Sequence, residues 1–106
     1  MTRDEAMELI DRMPYIPTIA ENNKKLRLEL YRLSSESDDP LEWIKVIKSC
    51  YVQMHFVDKT NISEEELQYG DNAKKRLEAE LSQAVGITEK DIEDYINTYI
   101  DKNSEF

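Results

Sequence analysis

The sequence predicts an all-α fold, a compact bundle of about five helices in a single domain, on three observations. One start signal recurs five times, apolar residues return at three- and four-residue spacing, and turn-forming residues are scarce. The signal is a short oxygen-bearing residue three positions before an acid: Thr2…Glu5, Thr18…Glu21, Asp39…Glu42, Ser63…Glu66 and Thr88…Asp91. In a capping box the first side chain accepts a bond from the N3 amide and the acid reaches back to the cap amide. Asp39 and Asp91 depart from the strict Ser/Thr–Glu/Gln form, but acids in a first turn also complement the helix dipole. Two glycines and three prolines in 106 residues are too few for the tight turns of an all-β fold.

The elements follow in order. Helix one is predicted over Arg3 to Arg12, presenting Ala6, Leu9, Ile10 and Met13. It ends where Pro14 and Pro17 disfavour helical geometry at Met13 and Ile16. Helix two spans about Ile19 to Leu33 with Leu26, Leu30 and Leu33 as its inward face, and Ser34 to Asp39 reads as a polar loop. Helix three starts at Pro40, a residue well suited to a first helical position. Its broad apolar arc of Trp43, Ile44, Val46, Ile47, Cys50, Tyr51, Met54 and Val57 makes it the central helix. Helix four, about Glu64 to Ala84, uses Leu67, Gly70, Ala73, Leu77, Leu81 and Ala84, with Gly86 placed to end it in a left-handed conformation. Helix five carries Ile92, Tyr95, Ile96, Tyr99 and Ile100 at clean helical spacing. Beyond Asp101 the tail is polar and is expected to fray.

Charge and composition narrow the function. The formal net charge is −9, distributed as about −3 over residues 1–21, +1 over 22–48 and −7 over 49–106. Such a surface repels nucleic-acid phosphates, so DNA cannot coat the whole domain, and only the near-neutral middle is suited to a local contact. One cysteine, Cys50, cannot form an intramolecular disulfide and suits a reducing, cytoplasmic setting. No apolar run approaches the roughly 18 residues of a membrane span, and the first residues do not read as a signal peptide.

Catalytic chemistry has little to work with. The one histidine, His55, reads as a surface or helix-end residue, and Cys50, five positions earlier, is rotated away from it. Together they cannot supply the roughly four ligands of a zinc site. Asp58 to Ser63 lacks the glycine and an oxygen ligand of a calcium loop. Acid runs such as Glu64-Glu65-Glu66 read as solvated faces and caps. No catalytic residue, metal, cofactor or small-molecule substrate is expected. Trp43 could anchor a partner or wedge between bases, but its spacing to Ile47, Cys50 and Met54 reads as core.

Two features of helix two stand out. Lys24, Lys25, Arg27 and Arg32 cluster within nine residues against Glu29 alone, and are the candidates for contact with DNA phosphates. Leu28 and Tyr31 form a second apolar ridge beside the leucine face, a candidate partner surface. Lys74, Lys75 and Arg76 form another short run, which Glu78 and Glu80 are placed to pair.

Three stretches carry a family likeness: Met1 through Pro14, Asp39-Pro40-Leu41-Glu42-Trp43-Ile44-Lys45-Val46-Ile47-Lys48, and Ala73 through Gly86 followed by the capped segment Ile87 to Ile96. In order and spacing the chain resembles the helical C-terminal domain of the CarD/CdnL transcription regulators. The resemblance implies a longer protein whose N-terminal Tudor-like domain, with no counterpart in this sequence, binds RNA polymerase while the helical domain contacts promoter DNA and stabilises the open complex. Many relatives carry a tryptophan at the start of helix two, where Ile19 to Asn23 has none; they carry a basic pair where Leu67 and Gln68 stand. DNA contact by this segment alone is therefore expected to be weak. The alternative is a helical protein–protein interaction module without direct nucleic-acid contact.

Overall fold

The computed structural model describes residues 1–57 and 62–94. Among the described residues the fold is all-α without strands, as the sequence predicts. Thr2 opens α1 (Arg3–Arg12) with a complete capping box: its hydroxyl accepts from the Glu5 amide at 3.1 Å, and the Glu5 carboxylate accepts from the Thr2 amide at 3.2 Å. The helix runs into a 3₁₀ turn, Met13–Tyr15, at the first proline.

Residues 17–23 are non-helical, which corrects the predicted start of the second helix. The Thr18…Glu21 signal goes unused, its acid and the backbone beside Thr18 being bonded elsewhere. The Ile19 amide donates to Ser49 Oγ at 2.7 Å, and Glu21 accepts from the Asn23 amide two residues on. Asn23 caps α2 (Lys24–Glu36) instead, accepting from the Leu26 amide. Asn ranks with Asp and Ser among the strongest caps. The helix also outlasts its predicted end, and the connection to α3 shrinks to Ser37–Asp39.

Asp39 caps α3 (Pro40–Val52) through the Leu41 amide, with Pro40 in the first turn as expected. The helix continues into a π-helical segment, Gln53–Val57. Ser63 caps α4 (Glu64–Val85), and Gly86 ends it at φ 76°, the left-handed geometry predicted for it. Thr88 accepts from the Asp91 amide at the start of α5, helical over residues 89–94. The predicted α5 residues Tyr95, Ile96, Tyr99 and Ile100 lie outside the described residues.

Side-chain pairings give the helix directions. Arg27 meets Glu66 and Arg76 meets the Ser35 carbonyl, so α2 and α4 run the same way. Trp43 lies under Arg76 while Cys50 Sγ approaches the Glu66 carbonyl, so α3 runs against α4. These two form the most extensive helix pair, which makes α3 central, as its apolar arc predicts. The core gathers Ala6, Leu9, Ile10 and Met13 of the N-terminal segment, Trp43 to Cys50 of α3, Ala73, Leu77 and Leu81 of α4, and Ile92. Gly70 permits the closest approach: a Cβ there would stand 2.7 Å from Cys50 Sγ.

One buried lysine fastens the N-terminal segment to this core. The Lys48 ammonium donates to the carbonyls of Met13 at 2.9 Å, Pro14 at 3.3 Å and Ile16 at 2.8 Å. These carbonyls sit where the prolines interrupt the helix, and among the described residues only that of Met13 gains a backbone bond there, a long one from the Ile16 amide at 3.4 Å. Burial holds the Lys48 ammonium below its usual pKa.

Candidate functional site

The helix that carries every candidate contact residue is turned away from its predicted orientation. α2 buries Arg27, Tyr31, Ser34 and Ser35. Leu26 and Leu33, predicted as core, are 48% and 52% exposed, and Leu30 between them is half-buried. Leu26 and Leu33, the outer two of the predicted inward face Leu26, Leu30 and Leu33, are therefore not core. At about 100° per residue, the buried set and the leucine stripe lie roughly a third of a turn apart on the helix.

The inversion has a specific cause in α4. Arg27 is 4% exposed and makes a bidentate pair with Glu66: Nε donates to Oε2 at 2.9 Å and Nη2 to Oε1 at 3.1 Å. The same carboxylate accepts from Ser63 Oγ, whose oxygen accepts from the Glu66 amide. The predicted capping box is therefore half-used: Ser63 caps α4, but Glu66 is committed to Arg27 rather than to the cap amide. Beside this pair Tyr31 is 1% exposed, and burial pushes its hydroxyl well above the usual range. Further along, Ser34 Oγ donates to Glu42, and Arg76 donates to the Ser35 and Ser37 carbonyls. Facing polar partners, rather than hydrophobicity, thus set the rotation of α2.

The candidates now separate. Arg27 is removed from the DNA-contact set because its guanidinium is buried and paired, and Tyr31 is removed from the partner surface because it is core. Leu28 is half-buried. Arg32 is partly exposed but bridges Glu29 and Glu36 on its own helix, the latter at 2.8 Å. Lys24 and Lys25 are exposed on the first turn, and no ion pair holds them among the described residues. Two of the four predicted cations are therefore free for a phosphate, and the middle of the chain is less basic in effect than in composition.

The other sequence expectations resolve by geometry. Trp43 is core, its indole N–H donating to the Ser37 carbonyl at 2.7 Å and its ring lying 4.3 Å from the Arg76 guanidinium carbon. Cys50 is buried, and that burial pushes its thiol up to about 12, which disfavours the nucleophilic thiolate. His55 is exposed against the Tyr51 ring, with centroids 4.4 Å apart. The basic run of α4 pairs as expected in kind but not in partner. Lys75 bonds Asp71, Lys74 reaches Glu93 of α5, and Arg76 serves Trp43 and the α2–α3 turn. Glu78 is buried with Oε1 unpartnered, and burial, then the nearby Glu93 charge, raises its carboxyl above the ordinary range. Among the described residues no three His, Cys, Asp or Glu side chains converge as a metal site, and no helix is long and apolar enough to cross a membrane.

The leucine stripe is the surface that pattern reading missed. Its signal was present in the flank: Lys25, Glu29, Arg32 and Glu36 run beside it as charges border the apolar seam of a coiled coil. No family model, curated protein or solved structure matches this chain.

Proposed function

We propose that this chain is a non-catalytic protein-interaction domain whose working surface is the solvent face of α2. The observation that carries the reading is the inverted burial of that helix: two leucines half-exposed in one stripe while an arginine and a tyrosine fill the interior. Scattered exposed apolar residues are ordinary, but an ordered stripe at heptad spacing, bordered by charges, is the form in which helices recognise other helices.

A second reading follows from the likeness to the CarD/CdnL helical domain, in which this segment would touch promoter DNA while a polymerase-binding domain delivers it. Lys24 and Lys25, exposed and in no ion pair among the described residues, favour it. Two cations release few counterions, and a net charge of −9 opposes the approach. We therefore rank it second.

Anisotropy of the labelled domain, titrated separately with unlabelled domain, RNA polymerase holoenzyme and promoter duplex at low and high salt, tests the two readings together. The docking reading expects at least one protein titration to saturate and to be lost in Leu26→Ser/Leu33→Ser, with a flat duplex titration. Flat protein titrations, alongside duplex binding that falls steeply with salt and is lost in Lys24→Glu/Lys25→Glu, would overturn it in favour of DNA.

A further inference from the structure

Resting on the docking reading, we infer that the α2 face takes a second copy of this chain, with the two α2 helices packed antiparallel about a two-fold axis near Leu30. Leu26, Leu30 and Leu33 are spaced four and three apart, the d–a–d step of a helix–helix seam. Centring an antiparallel pair on Leu30 sets Leu30 against Leu30 of the second copy and brings Leu26 within about one residue's rise of its Leu33. One patch thus meets itself, as a two-fold interface requires.

The charges beside the stripe choose both the occupant and the direction. Lys25, Glu29, Arg32 and Glu36 lie along one flank, spaced four, three and four apart, in the order plus, minus, plus, minus. Read backwards, the order is minus, plus, minus, plus. Antiparallel packing across a two-fold brings this flank beside its own reverse: Lys25 faces Glu36, and Glu29 faces Arg32, twice over, so the bridges that Arg32 makes to Glu29 and Glu36 within each helix are shared with the second copy. Parallel packing about a two-fold would instead bring this flank beside the opposite flank of the stripe, where Arg27 and Ser34 are already buried against Glu66 and Glu42. A flank complementary to its own reversal is what a second copy, rather than an unrelated partner, requires.

The helix ends agree. α2 has no acid in its first turn and no base in its last, and instead carries Lys24 and Lys25 at the start and Glu36 at the end. Each end therefore opposes its own helix dipole. In the antiparallel pair each lysine end lies beside the other copy's Glu36 and carbonyl end, which relieves both. Among the described residues the stripe stays exposed at Leu26 and Leu33, with Leu30 half-buried between them, while the polar contacts of α2 with α3 and α4 run through Arg27, Ser34 and Ser35.

Sedimentation equilibrium of the whole chain, from micromolar to millimolar, tests the inference. A reversible dimer is expected, with its dissociation constant raised more than about a hundredfold by Leu26→Ser/Leu33→Ser. Lys25→Glu and Glu36→Lys should each weaken the dimer about tenfold, since each creates two like-charge contacts. The double variant should recover it. The two positions are eleven residues apart, roughly 16 Å along one helix, so recovery cannot come from direct contact within a chain. As a further check, Leu30→Cys should cross-link under mild oxidation, because its two-fold mate lies opposite. A chain monomeric to millimolar, a dimer indifferent to the leucines, or charge variants without recovery would each overturn the inference. If self-association is absent while polymerase still binds in a leucine-dependent way, the pairing falls and the docking reading stands. If both are absent, both fall.

Discussion

Helices α2 and α3 are each thirteen residues long and both pack on α4, yet α3 buries its apolar arc with Lys48 and Ser49 beside it, whereas α2 buries mainly polar residues. α3 turns Trp43, Ile44, Val46, Ile47 and Cys50 inward, as its apolar pattern dictates. α2 turns Arg27 and Tyr31 inward and leaves Leu26 and Leu33 half in water. A helix with an apolar stripe orients by burial only when no stronger directional demand exists. Glu66, buried on α4, makes such a demand, because an unpaired interior carboxylate costs far more than two solvated leucines. For α3 the apolar pattern decides; for α2 the partner decides.

The sharpest way to break this contrast is to remove the demand. Arg27→Ala is expected to destabilise the domain by about 3–5 kcal/mol, since it strands a buried carboxylate. Urea denaturation would measure it. Arg27→Met/Glu66→Leu should recover most of that loss, because a well-packed apolar pair can replace a buried ion pair. A loss below about 1 kcal/mol for Arg27→Ala would mean that the pair does not hold α2 in its rotation.

A smaller effect is expected at the α3–α4 seam. An alanine at Gly70 would gain about 1 kcal/mol of helix propensity in isolation. Its methyl would also stand 2.7 Å from Cys50 Sγ and 3.4 Å from its Cβ, so the thiol must rotate away or the helices part. Overpacking of this kind costs about 1–3 kcal/mol, and a net destabilisation is expected in thermal melts. Adding Cys50→Ala should relieve it.

The smallest effect belongs to the stripe. At concentrations where the chain is monomeric, Leu26→Ser/Leu33→Ser should change stability by no more than about 1 kcal/mol, near the range of ordinary surface substitutions. Truncating a core leucine such as Leu77 to Ala costs about 2–5 kcal/mol by comparison. A core-sized loss from the serine pair would show that the stripe contributes to the fold of the single chain.

The sequence carried the fold class because caps and periodicity are local. Thr2, Asp39, Ser63, Thr88 and Gly86 act where their neighbours alone say they should. What it did not carry was non-local. The Arg27–Glu66 pair spans thirty-nine residues, and the three carbonyls bound by Lys48 lie more than thirty residues before it. Nothing near Thr18 reveals that Ser49 will take the Ile19 amide. The same blindness put Arg27 among phosphate contacts and Tyr31 on a partner surface. Both readings were sound for an isolated helix and failed once α4 was present. Lys24 and Lys25, with no distant ion-pair partner among the described residues, are where an isolated helix would put them.

Trp43, the sole indole of the chain, sits where the turn between α2 and α3 meets α4, with its N–H on the Ser37 carbonyl and the Arg76 cation over its ring. Its emission therefore reports on one small junction rather than on the molecule at large. Loosening of that corner would register optically even while the remaining helices stayed folded, so the protein carries an intrinsic, site-specific fluorophore that needs no label.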